Sequence, residues 1–249
     1  MEAYRFQDRM SDKFWRIEYA GAALAVNYGK IGTIGRYQVK EFGSKELCEK
    51  EVKKLTLAKL KKGYQPFAEF DPNGHFYLDD KETGLHPLTS HPRFRACFTE
   101  EFYYDCVDEE TPFGSDEGSD TLGQIAEGVR KDKSLNFASF PSKIVETYWG
   151  MTYLPAFDIS WEAVKKLTET DKTNLTQSNM VTYATAFAQI KITGRLDAAL
   201  KVLALNAMRR TEITAEILGW SARPSEVMEK MIADLEAFPA DEPGQTHRK

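Results

Sequence analysis

The segment Val26-Asn27-Tyr28-Gly29-Lys30-Ile31-Gly32-Thr33-Ile34-Gly35-Arg36 sets an aromatic ring beside a cation with almost no side-chain bulk between them. A ring can stack on a base or sugar, and a lysine can neutralise a phosphate. The pattern suits a nucleic-acid end or groove, and the candidate contacts are Tyr28, Gly29, Lys30 and Arg36. The structural alternative is a Tyr28 ring packed on its own sheet and a Lys30 solvated as any surface cation. A second set lies downstream. Lys50, Lys53, Lys54 and Lys61 share one face of a helix, with Lys62 extending its basic end. They form a candidate phosphate track, each lysine adding a modest, salt-sensitive increment. The same spacing also suits the wet side of an amphipathic helix.

A third cluster is acidic. Seven carboxylates lie between Asp105 and Asp120, around the glycines of Pro112-Phe113-Gly114-Ser115-Asp116-Glu117-Gly118. Hard cations take oxygen ligands of this kind. The spacing matches no EF-hand loop, so the expectation is an exposed acidic turn, with Asp116 in a local Asx turn and Asp120 or Ser119 capping the next helix. The segment keeps open a metal-dependent enzyme as an alternative function. His75, His86, His91 and His247 are scattered without the i,i+4 spacing of a helical metal pair. No glycine-rich phosphate loop follows a strand. The expectation is therefore a protein that is not an enzyme, with no cofactor and no metal site.

The elements that must position these residues follow from periodicity. Lys13-Phe14-Trp15-Arg16-Ile17-Glu18-Tyr19 alternates with period two, as does Arg36-Tyr37-Gln38-Val39-Lys40-Glu41-Phe42, and Ala23 to Tyr28 is extended between them. Trp15 falls in phase with Ile17 and Tyr19 and is assigned to the core. Ser44 is a plausible N-cap, Glu46 and Glu49 start a helix, Lys59, Lys61 and Lys62 end it, and Gly63 suits the position after its C-cap. Residues 67–90 carry the turn Asp71-Pro72-Asn73-Gly74 and further breakers, and are expected as a linker with one short strand at His75–Leu78, or equally as the last edge of the first unit. Helices are expected over 94–104, 120–130, 142–149, 160–169, 174–192, 197–210, 214–218 and 224–238. The boundaries are thus 1–66, 67–90, 91–238, and a flexible tail at 239–249. The fold class is α+β: a small antiparallel sheet with one helix, then a mainly helical domain.

Charge separates the two parts. The chain carries a net −5. Fourteen cations against eight anions make the part through Pro66 basic by six, which leaves −11 for the rest. A basic module joined to an acidic one fits nucleic-acid contact through the first part only, with the acidic domain recruiting a partner or regulating the complex. A protein–protein adaptor without nucleic-acid binding is the other alternative. No apolar run is long enough to cross a bilayer, and Met1-Glu2-Ala3-Tyr4-Arg5 lacks a signal-peptide core. The three cysteines, Cys48, Cys97 and Cys106, are odd in number and suit reduced thiols. A cytoplasmic protein with no membrane partner is expected.

From Tyr4 to Tyr64 the chain resembles the WGR domain, a nucleic-acid-binding module found in poly(ADP-ribose) polymerases and many bacterial proteins. The resemblance rests on Lys13-Phe14-Trp15-Arg16-Ile17, the loop from Tyr28 to Gly35, Val39-Lys40-Glu41-Phe42, and Lys59-Leu60-Lys61-Lys62-Gly63-Tyr64. It implies that Tyr28 and Lys30 contact nucleic acid near a strand end, with Gly29 permitting close approach. Tyr28 stands where the family motif has Trp, and Lys30 where it has Arg. Tyrosine stacks with less area, and lysine lacks the bidentate fork. From His91 the chain resembles the bacterial YfeS-type proteins, on His91-Pro92, Phe102-Tyr103-Tyr104 and Pro112 to Thr121. That likeness implies no particular chemistry, and no transferase domain of the polymerases is present in the pattern.

Overall fold

The computed structural model describes residues 1–220 and 225–241. It divides into two compact units, Met1–Arg95 and Ala96–Lys249. In the first, β1 (Glu2–Gln7), β2 (Asp12–Ala20), β3 (Ala23–Lys30) and β4 (Arg36–Glu41) precede α1 (Lys45–Lys61), and β5 (Gln65–Pro66) follows it. The five strands form one antiparallel sheet in the order β4-β3-β2-β1-β5. Strands β2 to β4 and the helix stand where periodicity puts them. The first strand is an addition that the sequence pattern does not mark.

The helix forms for the expected reasons. Ser44 Oγ accepts from the Leu47 amide at 3.3 Å, Glu46 sits in the first turn, and Lys59 and Lys61 in the last. Gly63 follows the C-cap with φ of 85°, a left-handed conformation that glycine adopts without a Cβ clash. The helix lies on one face of the sheet, where Trp15, Ile17, Leu24, Val26, Cys48 and Val52 close into a core. Each large apolar side chain fully buried there contributes roughly 1.5–3 kcal/mol.

β2 is buried on both faces, since Phe14 and Arg16 are as enclosed as Trp15 and Ile17. The second cover is the segment expected as a linker, 67–90, which belongs to the first unit. Its short strand at 75–78 does not form; the backbone there is irregular. It is held instead by side chain to backbone bonds. Tyr37 donates its hydroxyl to the Phe76 carbonyl at 2.9 Å, and Asp80 accepts the Val39 amide at 3.0 Å, satisfying part of the open edge of β4. His91 is fully buried, packs against Tyr77, and binds the Asn73 carbonyl through Nε2 and the Arg93 amide through Nδ1. His91 thus serves the packing of the first unit.

The second unit is mainly helical. The short α2 (Pro92–Cys97) opens across the unit boundary, followed by a 3-10 turn at Glu101–Tyr104 in place of one helix over 94–104. Then come α3 (Asp116–Lys131), α4 (Phe140–Ser142) running on as a π-helical turn (Lys143–Tyr148), α5 (Trp161–Thr193), α6 (Ala198–Leu218) and α7 (Glu226–Ala237). The expected helices 160–169 and 174–192 are the two arms of α5, whereas 197–210 and 214–218 are one helix. Asp171 marks the break inside α5 with φ −154° and ψ 49°. The C-terminal stretch of α5, Val181–Thr193, is buried on every side and forms the centre of this unit. Ser225 caps α7 by accepting the Met228 amide at 3.4 Å; Pro224, expected at its start, lies outside the described residues. Of the expected tail, Asp241 pairs with Arg195 at 2.7 Å, and 242–249 lie outside the described residues.

Candidate nucleic-acid interface

In an antiparallel pair, residues directly opposite share a face of the sheet. Trp15 lies across from Tyr28, and Tyr28 from Arg36, so one row crosses β2, β3 and β4 on the face that α1 covers. Lys13 lies across from Lys30, two residues further along both strands, and so continues the same face beyond the helix-covered core. The Tyr28 ring is half-buried against that core, while Lys13, Lys30 and Arg36 are exposed. Tyr28 therefore packs on its own sheet and still reaches the surface at the rim.

The helix adds a cation that the sequence pattern places only at its basic end. Cys48, Val52, Leu55 and Lys59 recur at helical spacing and make the sheet-facing stripe of α1. The Lys59 ammonium lies 5.3 Å from the Trp15 ring centroid, 5.9 Å from Tyr28 and 5.1 Å from Tyr64. Burial over these rings lowers its pKa, and Lys62 adds repulsion in the same direction. Periodicity could have found it, as the one lysine on an otherwise apolar face. Among the described residues, none of Lys13, Lys30, Arg36 and Lys59 forms an ion pair.

Gly29 does permit close approach, but of the chain itself. A Cβ there would meet Gly35 Cα and Thr33 Oγ1 at 2.8 Å each. Gly35, at φ 78°, is wedged between Phe14, the Tyr28 carbonyl and Asn27. The loop is closed further by the Thr33 amide donating to the Lys30 carbonyl at 3.1 Å, and by Asn27 Nδ2 donating to the carbonyls of Ile34 and Arg36. The glycines thus make a compact loop between Lys30, two residues beyond Tyr28 on β3, and Arg36, directly across from Tyr28 on β4.

Lys50, Lys53, Lys54 and Lys61 are exposed on the side of α1 about half a turn from the Lys59 stripe, facing away from the sheet. Lys54 pairs with Glu51 at 3.0 Å. The structure brings Tyr28, Gly29, Lys30 and Arg36 together and leaves these four lysines apart from them.

The acidic segment folds as local turns. Asp105 accepts the amides of Val107 and Asp108, and Asp108 accepts that of Glu110. The helix cap is Ser115, which accepts the Gly118 amide at 3.0 Å, so Asp116 is the first helical residue and neither Ser119 nor Asp120 caps it. A Cβ on Gly114 would lie 1.9 Å from the Asp108 carbonyl oxygen, which explains the glycine between Phe113 and Ser115. No group of three or more His, Cys, Asp or Glu side chains suited to a metal occurs among the described residues. No helix among them is long and apolar enough to cross a membrane.

The model of the WGR domain family matches residues 2–71. The chain is 48% identical over 235 residues to YfeS of Escherichia coli K12, a protein described as uncharacterized, across 94% of this chain and 96% of that one. YehF of the same organism is 39% identical over 64 residues, 26% of this chain and 23% of its own. A Bacteroides fragilis protein of known crystal structure is 29% identical over 44% of this chain and 36% of its own, with a TM-score of 0.27 that carries no argument about fold.

Proposed function

The chain belongs to the YfeS family and has a WGR domain, a module of nucleic-acid-binding type, and from that premise we propose that it binds DNA without catalysing a reaction, through the sheet rim around Tyr28. The observation that carries this reading is the set of unpaired cations around one half-exposed ring. Lys13 sits directly across from Lys30, a like-charge pair that destabilises a sheet. Neither is offset by a carboxylate among the described residues. Such an arrangement is relieved when a phosphate enters, and the ring beside it supplies a surface for a terminal sugar or base. Lys59 holds positive charge over the same ring. The remainder of the chain, net acidic, serves as a regulatory or partner-binding module. Three free thiols suit action in the cytoplasm.

The test is a titration of full-length protein with blunt-ended duplex, single-stranded DNA and RNA across a salt series. Wild-type protein binds with a steep salt slope, tightest to duplex ends. The double variant Tyr28→Ala, Lys30→Ala loses about tenfold or more in affinity, about 1.4 kcal/mol or above. No binding by wild-type protein at low salt defeats the proposal. Equal binding by the double variant removes this rim from the interface.

A further inference from the structure

The second unit contains a cavity of about 900 Å³ bounded by α5, α6 and the start of α7, with the acidic turn at Glu109 and Glu110 on its rim. Met180, Tyr183, Ile213, Met228 and Trp220 supply apolar and aromatic wall. The volume is within the range of pockets that enclose a small organic molecule. Its charge is one-sided. Among the described residues, Glu109, Glu110, Glu212, Glu216 and Glu226 line it, against one cation, Arg209. Arg209 is already committed to an ion pair with Glu236, outside the lining. Glu110 accepts the Ser225 hydroxyl.

Glu212 stands apart from the other four. Its Oε1 is buried and has no hydrogen-bond partner among the described residues. Leaving a buried carboxylate oxygen unpaired costs free energy comparable to a lost charged hydrogen bond. Burial, and then the nearby Glu229, raise the pKa of this carboxyl, with Arg209 opposing. Glu212 also lines the cavity, and a cation that enters it offsets the repulsion this carboxylate meets from Glu229 and from the other lining carboxylates. The wall can also hold the rest of such a molecule: Trp220 already has the Lys172 ammonium 5.5 Å from its ring centroid, so its face accepts positive charge.

We propose that this cavity binds a small organic cation, a protonated amine on an apolar or aromatic body, with the ammonium paired to Glu212 and the body against Met180, Tyr183 and Met228. The inference is independent of the DNA reading, since it concerns only the second unit. Neutral apolar molecules would leave the carboxylate unpaired, and anions would meet five like charges.

Dansylcadaverine is a suitable probe, because it joins a free primary amine to an environment-sensitive aromatic group. Titrated into the full-length protein, it gives saturable one-to-one binding with a blue-shifted emission. Its N-acetylated, neutral derivative binds about tenfold or more weakly, and so does the amine to Glu212→Gln, a variant that keeps the side chain's shape. Met180→Trp, which fills the cavity, abolishes the signal. Circular dichroism checks that each variant is folded; if Met180→Trp is not, the neutral probe and Glu212→Gln decide alone. Absence of saturable binding by wild-type protein overturns the proposal. So does equal affinity of the charged and neutral probes, or an affinity unchanged in Glu212→Gln.

Discussion

Two rows of side chains cross the same three strands of the first unit, one residue out of phase. Trp15, Tyr28 and Arg36 point to the helix side; Arg16, Asn27 and Tyr37 point to the other. Both rows contain an arginine and a tyrosine, yet their fates differ. On the far face, Arg16 is 3% exposed and every guanidinium nitrogen is used: Nε donates to Asn27 Oδ1 at 3.2 Å, one terminal nitrogen to the Tyr77 hydroxyl at 3.0 Å, the other to that of Tyr37 at 2.9 Å. Its guanidinium carbon also lies 4.4 Å from the Tyr77 ring centroid. On the near face, Arg36 and Lys30 have no such partners among the described residues and remain at the surface. The lesson is that residue type does not make a cation a ligand-binding group. A cation whose donors are all taken by the chain holds the fold; one left unpaired beside an exposed ring is available to a phosphate.

The largest expected effect breaks the far row. Arg16→Leu leaves the oxygens of Asn27, Tyr37 and Tyr77 without their donor, and destabilises by about 3 kcal/mol or more. Urea unfolding measures it. A loss below about 1 kcal/mol would erase the contrast between the rows, since it would mean that the buried guanidinium is not a structural centre.

The near row responds in affinity instead. Lys59→Leu suits the apolar stripe of α1, so thermal stability is retained or raised, while the dissociation constant for duplex DNA rises about three- to tenfold. The slope of log affinity against log salt becomes shallower by about 0.9, the share of one lost phosphate contact. Unchanged affinity with raised stability would place Lys59 with Arg16 as a cation that serves only the fold.

Acid separates the rows in another way. Burial lowers the His91 pKa below its ordinary 6.5, and His91 packs on the Tyr77 that covers Arg16. The unfolded chain then binds more protons at mildly acidic pH, so stability is full above the ordinary value and falls as pH drops from about 6.5 towards the depressed one. Urea midpoints between pH 7.5 and 5 show this slope, and His91→Asn flattens it. A slope unchanged in that variant assigns the acid sensitivity elsewhere.

The smallest effect is expected from the outer face of α1. Replacing Lys50, Lys53, Lys54 and Lys61 together with alanine changes DNA affinity by about twofold at physiological salt, through long-range charge alone. A loss matching that of Lys59→Leu would move the interface from the near face of the sheet onto the outer face of α1.

Much of the near row is legible in the amino-acid sequence alone. Period-two alternation locates β2 and β4, the extended run from Ala23 locates β3, and the Ser44 and Gly63 signals bracket α1, because these are local rules written into consecutive residues. The far row is not legible in that way. Its cover, from Phe70 to His91, has no period at all and is held by Asp80 on a β4 amide and by Tyr37 on the Phe76 carbonyl, contacts about forty residues apart in the chain. A breaker-rich segment of this kind reads as a linker. The acidic turn shows the same limit on a smaller scale: a helix start is visible there, but that Ser115 caps it rather than Ser119 or Asp120 appears only in the folded chain.

By itself the sequence determined the chemistry on offer: a ring, a glycine and a lysine in succession, a basic first part, an acidic remainder, and the strands and helix that carry the first of these. Only the tertiary structure decided which cations are spent and which are free. Arg16 and Lys30 are equally charged as letters. Their difference lies in what the rest of the chain brings within about 3 Å for a hydrogen bond or about 6 Å for a ring, distances set by packing between segments far apart in the chain.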